Sequence, residues 1–96
     1  MQTYEVAFVV HGYIDNEYDD IGLIECNGLY KHENVYYLKD GRMYYAVNAP
    51  TPDKAYEFGK QLFEDDDFRN LTITDWCLEH VSAGEKYWYK EDLDLT

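Results

Sequence analysis

Residues 51–65, whose sequence is TPDKAYEFGKQLFED, decide the fold. Thr51 is suited to cap a helix, Pro52 fits the first helical position, and Asp53 complements the positive end of the helix dipole. Apolar residues then recur at helical spacing: Ala55, Phe58, Gly59, Leu62 and Phe63. Polar residues fall on the other side: Lys54, Glu57, Lys60, Gln61 and Glu64. The pattern predicts an amphipathic helix over residues 52–65 whose apolar stripe faces a sheet.

Segments rich in β-branched and aromatic residues surround this helix and predict strands. They cover residues 4–13, 34–39, 42–48, 71–81 and 85–90. The segment 21–30 favours a strand or an irregular conformation, because Gly22 and Gly28 disfavour a helix. Between two of the strands, Asp40-Gly41 predicts a hairpin with a tight turn.

These elements predict an α+β fold, with an antiparallel sheet of four to six strands and one main helix packed on one face. The chain has 96 residues, which predicts a single domain over 1–96. The acidic tail 91–96 is expected to fray. The longest apolar run, Val6–Val10, is far too short for a membrane span, and the first residues lack a signal-peptide pattern. We therefore expect a cytoplasmic protein.

Charge is the strongest compositional signal. Twenty Asp and Glu against eight Lys and Arg give a formal net charge of −12. Such a chain repels phosphate backbones and anionic membrane surfaces, so direct binding to nucleic acid or to membranes is disfavoured. Eleven tyrosines among the many aromatic residues argue against disorder. The sequence predicts a folded polyanion.

Enzymatic and metal-binding motifs are sparse in the sequence. It contains neither a Gly-rich phosphate loop nor a nucleophile elbow. Cys77 and His80 have zinc-like spacing, but on a strand they point to opposite faces. Cys26 and Cys77 are expected to be reduced thiols. We therefore expect no enzyme, no cofactor and no metal site.

Two acidic stretches are the candidate binding residues. In the first, Asp15, Glu17 and Asp19 would lie on one face at intervals of about 6.6 Å if the chain is extended, close to the spacing of phosphates along a single strand. The candidate site residues are Tyr13, Asp15, Glu17, Tyr18, Asp19, Asp20, Glu64, Asp65, Asp66 and Asp67. The second stretch, Glu64–Asp67, ends the predicted helix, where acids oppose the helix dipole and so do not stabilise the helix. Either stretch could instead be a solvated loop that keeps the protein soluble.

In size, charge and tyrosine content the chain resembles the small acidic inhibitors of phage and mobile elements, the nucleic-acid mimics among anti-CRISPR and anti-restriction proteins. The resemblance implies evasion of host defence in the host-cell cytoplasm. The implied partner is a protein with a Lys/Arg-rich nucleic-acid-binding groove: a CRISPR effector, a restriction enzyme or a nuclease toxin. Tyr13 and Tyr18 would be aromatic anchors in that contact.

A second hypothesis assigns the acids to solubility alone. The segment 43–62, a strand followed by a Pro-containing turn and a helix, is also typical of small accessory α+β modules that dimerise or dock through a sheet edge. Salt separates the two hypotheses, because charge mimicry weakens at high ionic strength and apolar edge docking does not.

Overall fold

The computed structural model describes residues 1–15, 25–32, 35–66 and 71–93, with side chains for 1–13, 37–66 and 72–93. Its strands and helices are β1 (Gln2–Asp15), β2 (Glu25–His32), β3 (Val35–Ala49), α1 (Pro52–Asp65), β4 (Leu71–Ala83), β5 (Lys86–Trp88) and a short 3₁₀ helix (Lys90–Asp92). The strands form one antiparallel sheet in the order β2-β3-β1-β4-β5. The predicted α+β fold with one main helix is confirmed.

Helix α1 has the bounds that the sequence predicts. The Oγ1 atom of Thr51 accepts a hydrogen bond from the backbone N–H of Lys54 at 3.2 Å, and Pro52 lies in the first turn. The cap satisfies a backbone donor that has no partner inside the helix, so helix formation starts at this position.

Contacts within the chain divide it into two compact units, each built from separated segments. The first comprises Met1–Phe8, Tyr44–Asp66 and Leu78–Thr96, and the second comprises Val9–Met43 and Asp67–Cys77. Strands β1, β3 and β4 each supply residues to both units, because the division falls within these strands.

The first unit holds helix α1 and most of the buried apolar residues. Phe8 and Phe63 stack with ring centroids 4.8 Å apart. A Cβ atom at Gly59 would lie 2.7 Å from Cβ of Val6, so only glycine allows the helix to approach β1 this closely. The buried apolar residues of this unit are Tyr4, Val6, Ala7, Phe8, Val47, Ala49, Ala55, Phe63, Val81, Ala83 and Leu93.

The end of the described chain belongs to the same unit. A turn at residues 84–85 joins β4 to β5, and Val81 pairs with Trp88. The Asp92 carboxylate accepts a hydrogen bond from the backbone N–H of Tyr89 at 3.0 Å, and Leu93 is buried. The described part of the acidic tail, residues 91–93, therefore has a defined conformation.

The sequence predicts a hairpin turn at Asp40-Gly41, in the second unit, and this prediction is wrong. Strand β3 continues through both residues, and β2 pairs with it from His32↔Val35 to Glu25↔Arg42. Asp40 adopts a left-handed φ of 55°, which an Asp tolerates better than most residues. Its backbone N–H donates to Nδ1 of His11 at 3.2 Å. The Asp-Gly pair therefore kinks a strand instead of ending it.

Candidate protein-binding surface

The acidic end of α1 belongs to the first unit, where three candidate residues, Glu64, Asp65 and Asp66, lie together and are exposed. The last turn of the helix contains no basic residue. Each carboxylate here faces the negative end of the helix dipole, an arrangement that costs about 0.3–1 kcal/mol per charge. The helix dipole therefore disfavours these three charges.

One of the three carboxylates has a fixed position. The Tyr45 hydroxyl donates to Oδ2 of Asp66 at 2.8 Å, and the backbone N–H of Asp66 donates to the carbonyl oxygen of Phe63 at 3.3 Å. Burial of the Tyr45 ring raises the pKa of its hydroxyl, and the hydrogen bond to Asp66 and the charge of Asp66 raise it further. The neutral hydroxyl thus remains a donor, and it ties the carboxylate to strand β3.

The other charges of the helix are partly paired. Lys54 lies 3.0 Å from Glu57, and Lys60 lies 3.7 Å from Glu64. Exposed pairs of this kind contribute about 0–1 kcal/mol and are screened by salt. A partner's Lys or Arg could therefore displace Lys60 from Glu64 at little cost.

The sequence predicts that the apolar stripe of α1 faces the sheet, but only part of the stripe is buried. Ala55, Gly59 and Phe63 are buried, but Phe58 is 41% exposed and Leu62 is 47% exposed. These two side chains line a groove of about 420 Å³ beside strand β3. The described residues that line the groove are Ala46, Val47, Asn48, Phe58, Gln61, Leu62 and Asp65.

The structure places only some of the other candidate residues. Tyr13 lies near the end of β1 with 38% of its surface exposed. Asp15 is the last residue of that strand, and its side chain lies outside the described part, as do residues 17–20 and Asp67. The proposed spacing of Asp15, Glu17 and Asp19 therefore stays a prediction.

The described histidine and cysteine side chains are divided between the two units and have different neighbours. In the second unit, Nε2 of His11 lies 3.8 Å from Oδ1 of Asp40, and Cys77 is exposed with a free thiol. In the first unit, His80 packs edge-on against Tyr87, with ring centroids 5.1 Å apart, and near Tyr89. Among the described side chains, no group of three or more His, Cys, Asp or Glu residues is arranged to hold a metal ion.

Two features of this surface could not be recognised from the sequence. The Tyr45–Asp66 hydrogen bond joins residues that lie far apart in the chain, and no local pattern indicates it. The groove lies between α1 and β3, and the helical periodicity that identified Phe58 and Leu62 gave no sign that they would stay exposed. The only hint in the sequence that some of these side chains stay exposed is that the apolar stripe contains as many as five residues.

Comparisons with protein-family models, curated proteins and solved structures found no match. No helix among the described residues is long and apolar enough to cross a membrane.

Proposed function

We propose that this protein is a stoichiometric, non-catalytic inhibitor that binds the basic nucleic-acid-binding surface of another protein. The class of target is that implied by the resemblance to acidic phage inhibitors: a CRISPR effector, a restriction enzyme or a nuclease toxin. The observation that carries the proposal is the end of α1, where Glu64, Asp65 and Asp66 are exposed and one carboxylate is held by Tyr45.

The electrostatics favour a cationic partner over solubility as the role of these residues. Carboxylates that keep a protein soluble can stand anywhere on its surface, whereas these three stand where the helix dipole opposes them. A Lys or Arg from a partner would remove that cost on binding. Because such charges also steer diffusional encounter, the partner would be bound quickly at low salt.

The distribution of the remaining charge supports the same role. None of the described carboxylates is buried. The charge of these described carboxylates therefore acts on the surroundings of the protein and not within its core. A groove that binds phosphates would attract this surface as it attracts nucleic acid.

The test is competition for an immobilised nucleic acid. Proteins of a cell extract are retained on immobilised duplex DNA at about 0.1 M salt, where surface charges still interact strongly. The wild-type protein should release a discrete DNA-binding protein, and Glu64→Gln/Asp65→Asn/Asp66→Asn should not. The released protein is then purified, and fluorescence anisotropy should show that it binds labelled DNA or this protein, but not both together.

A charge-matched control separates the site from the net charge. Glu5→Gln/Glu85→Gln/Glu91→Gln removes the same number of exposed carboxylates elsewhere and should release the target as well as the wild type does. Equal loss in both triple variants would mean that only total charge matters. Failure of the wild-type protein to release any protein would refute the mimicry.

A second candidate function, an accessory module that docks through a sheet edge, is favoured by one observation. The groove beside β3 leaves two large apolar side chains, Phe58 and Leu62, 41% and 47% exposed. Binding at this groove should persist at high salt, because apolar contacts are not screened.

A further inference from the structure

We infer that the groove beside β3 and the acidic end of α1 bind the same partner, whose basic surface places an apolar side chain in the groove and a Lys or Arg against Asp65. The inference rests on the proposed function and names how that partner is recognised. It assigns to the groove a part of the affinity that salt does not screen.

The apolar and the acidic residues follow one another along a single face of α1. Leu62 lies four residues after Phe58, and Asp65 lies three residues after Leu62, so the three side chains form one row. At a rise of about 1.5 Å per residue, Asp65 lies only about 4.5 Å further along the helix axis than Leu62. All three line the groove. A partner surface that covers the groove therefore also reaches the acidic end of the helix.

The groove exposes enough apolar surface to contribute to binding. Phe58 is 41% exposed and Leu62 is 47% exposed, although both are large apolar residues. Burying what these two side chains still expose would strengthen binding by at least roughly tenfold. A basic surface that presents no apolar side chain beside its Lys or Arg leaves both residues in water, so it is bound less tightly.

The charges around the groove determine which partner fits. Its described lining contains one carboxylate, Asp65, and no Lys or Arg, and the exposed Glu64 and Asp66 flank Asp65 in the sequence. A cationic side chain at this end of the groove therefore gains ion pairs, whereas a phosphate group is repelled. A second copy of this chain would bring another net charge of −12, which disfavours a homodimer through the groove.

The test measures how salt changes the affinity for the DNA-binding protein that the competition experiment releases. Fluorescence anisotropy gives the Kd of the full-length wild type, Phe58→Ser/Leu62→Ser and Glu64→Gln/Asp65→Asn/Asp66→Asn between about 0.1 M and 0.5 M salt. The groove variant Phe58→Ser/Leu62→Ser keeps every carboxylate. It should bind at least roughly tenfold more weakly at each salt concentration, with nearly the salt dependence of the wild type. The triple variant should have a flatter salt dependence, because fewer ion pairs are screened.

A matched variant controls for general loss of exposed apolar surface. Tyr87→Ser/Tyr89→Ser removes two exposed rings of the same unit that do not line the groove, and it should bind as the wild type does. Circular dichroism checks that both double variants are folded. If the groove variant does not fold, Leu62→Gln, at a position nearly half exposed, replaces it, and a smaller loss at every salt concentration is expected.

The side chain that enters the groove is identified on the partner. Exposed apolar residues on the DNA-binding surface of the released protein are replaced by Ser, one at a time. One of these substitutions should weaken binding to the wild type at every salt concentration. Against the groove variant the same substitution should cost little more, because the contact that it removes is already lost.

Two outcomes would overturn the inference and leave the proposed function in place. Either the groove variant binds the released protein as tightly as the wild type does, or no apolar residue of the partner is coupled to the groove. If the wild-type protein releases no DNA-binding protein, the proposed function fails and this inference fails with it. The two failures are therefore distinguishable.

Discussion

The two sides of the apolar stripe on α1 carry the same kinds of residue in different surroundings. Phe63 is buried and stacks on Phe8, whereas Phe58 is 41% exposed in the groove beside β3. Both follow from one helical pattern in the sequence. The difference shows that periodicity identifies an apolar stripe but does not say how much of it the sheet covers. The uncovered part is the candidate docking groove.

The strongest test of this comparison is truncation of one phenylalanine at a time. Phe63→Ala should lower the free energy of unfolding by about 3–5 kcal/mol, because it opens a cavity against Phe8. Phe58→Ala should cost less, about 1–2 kcal/mol, because 41% of that side chain is already exposed to water. Urea denaturation of both variants at neutral pH measures the difference. Equal costs would mean that the two rings are buried alike.

The next effect is expected at Gly59, on the buried side of the helix. In an exposed helix, Gly→Ala stabilises by about 1 kcal/mol. Here the added Cβ would meet Val6 at 2.7 Å, so Gly59→Ala should destabilise the protein by about 1–3 kcal/mol. In the Val6→Gly background the clash is relieved, because Cβ and both Cγ atoms of Val6 are absent, and Gly59→Ala should cost much less in denaturant unfolding than it does beside Val6. A stabilising Gly59→Ala in the wild-type background would contradict the close packing.

A smaller effect is expected at Tyr45, which anchors the acidic end of the helix. Tyr45→Phe should cost about 1 kcal/mol near neutral pH, the usual net value of such a hydrogen bond. The raised pKa of Tyr45 in the folded protein means that its contribution is complete below about pH 10, where an unfolded tyrosine is still neutral. That contribution is lost as the pH rises further, towards the folded pKa.

The gap in stability between wild type and Tyr45→Phe should therefore shrink as the pH rises from about 10 to about 12 in denaturant titrations. Tyr87→Phe, at an exposed ring, is the control for loss of a hydroxyl, and its gap to wild type should be near zero at neutral pH. A constant gap for Tyr45→Phe over this range would argue against the bond to Asp66.

The smallest effect is expected at Leu62, on the uncovered side. Leu62→Ala should change the free energy of unfolding by less than about 1 kcal/mol, because the side chain is nearly half exposed and Ala favours the helix. Thermal unfolding followed by circular dichroism measures it. A loss as large as the roughly 2–5 kcal/mol typical of a core Leu→Ala would mean that the groove is part of the core.

The sequence predicts best those features of the structure that depend on residues close together in the chain. Helix α1 lies where the sequence predicts it, at about 52–65, because Thr51, Pro52 and the apolar repeat all act within a few turns. The hairpin at Asp40-Gly41 failed although its signal is also local. Gly41 pairs with Cys26 and the backbone N–H of Asp40 donates to His11, and both partners lie outside the short segment that carries the hairpin signal.

The candidate site also has one part that the sequence predicts and one part that it does not. Glu64–Asp66 could be identified from the sequence because the acids are consecutive and oppose the helix dipole. The groove could not, since it depends on how much of the apolar stripe of α1 the sheet covers. The acids at 15–20 remain a prediction from composition alone.

The sequence by itself determined the α+β class, the bounds of the helix and the sign of the charge, since these depend on short-range backbone preferences and on simple counting. Only the tertiary structure decided that Phe58 and Leu62 face a groove, that Asp66 is held by Tyr45 and that Asp40 kinks a strand. Each of these depends on contacts between residues distant in the chain, whose free energies local sequence patterns do not contain.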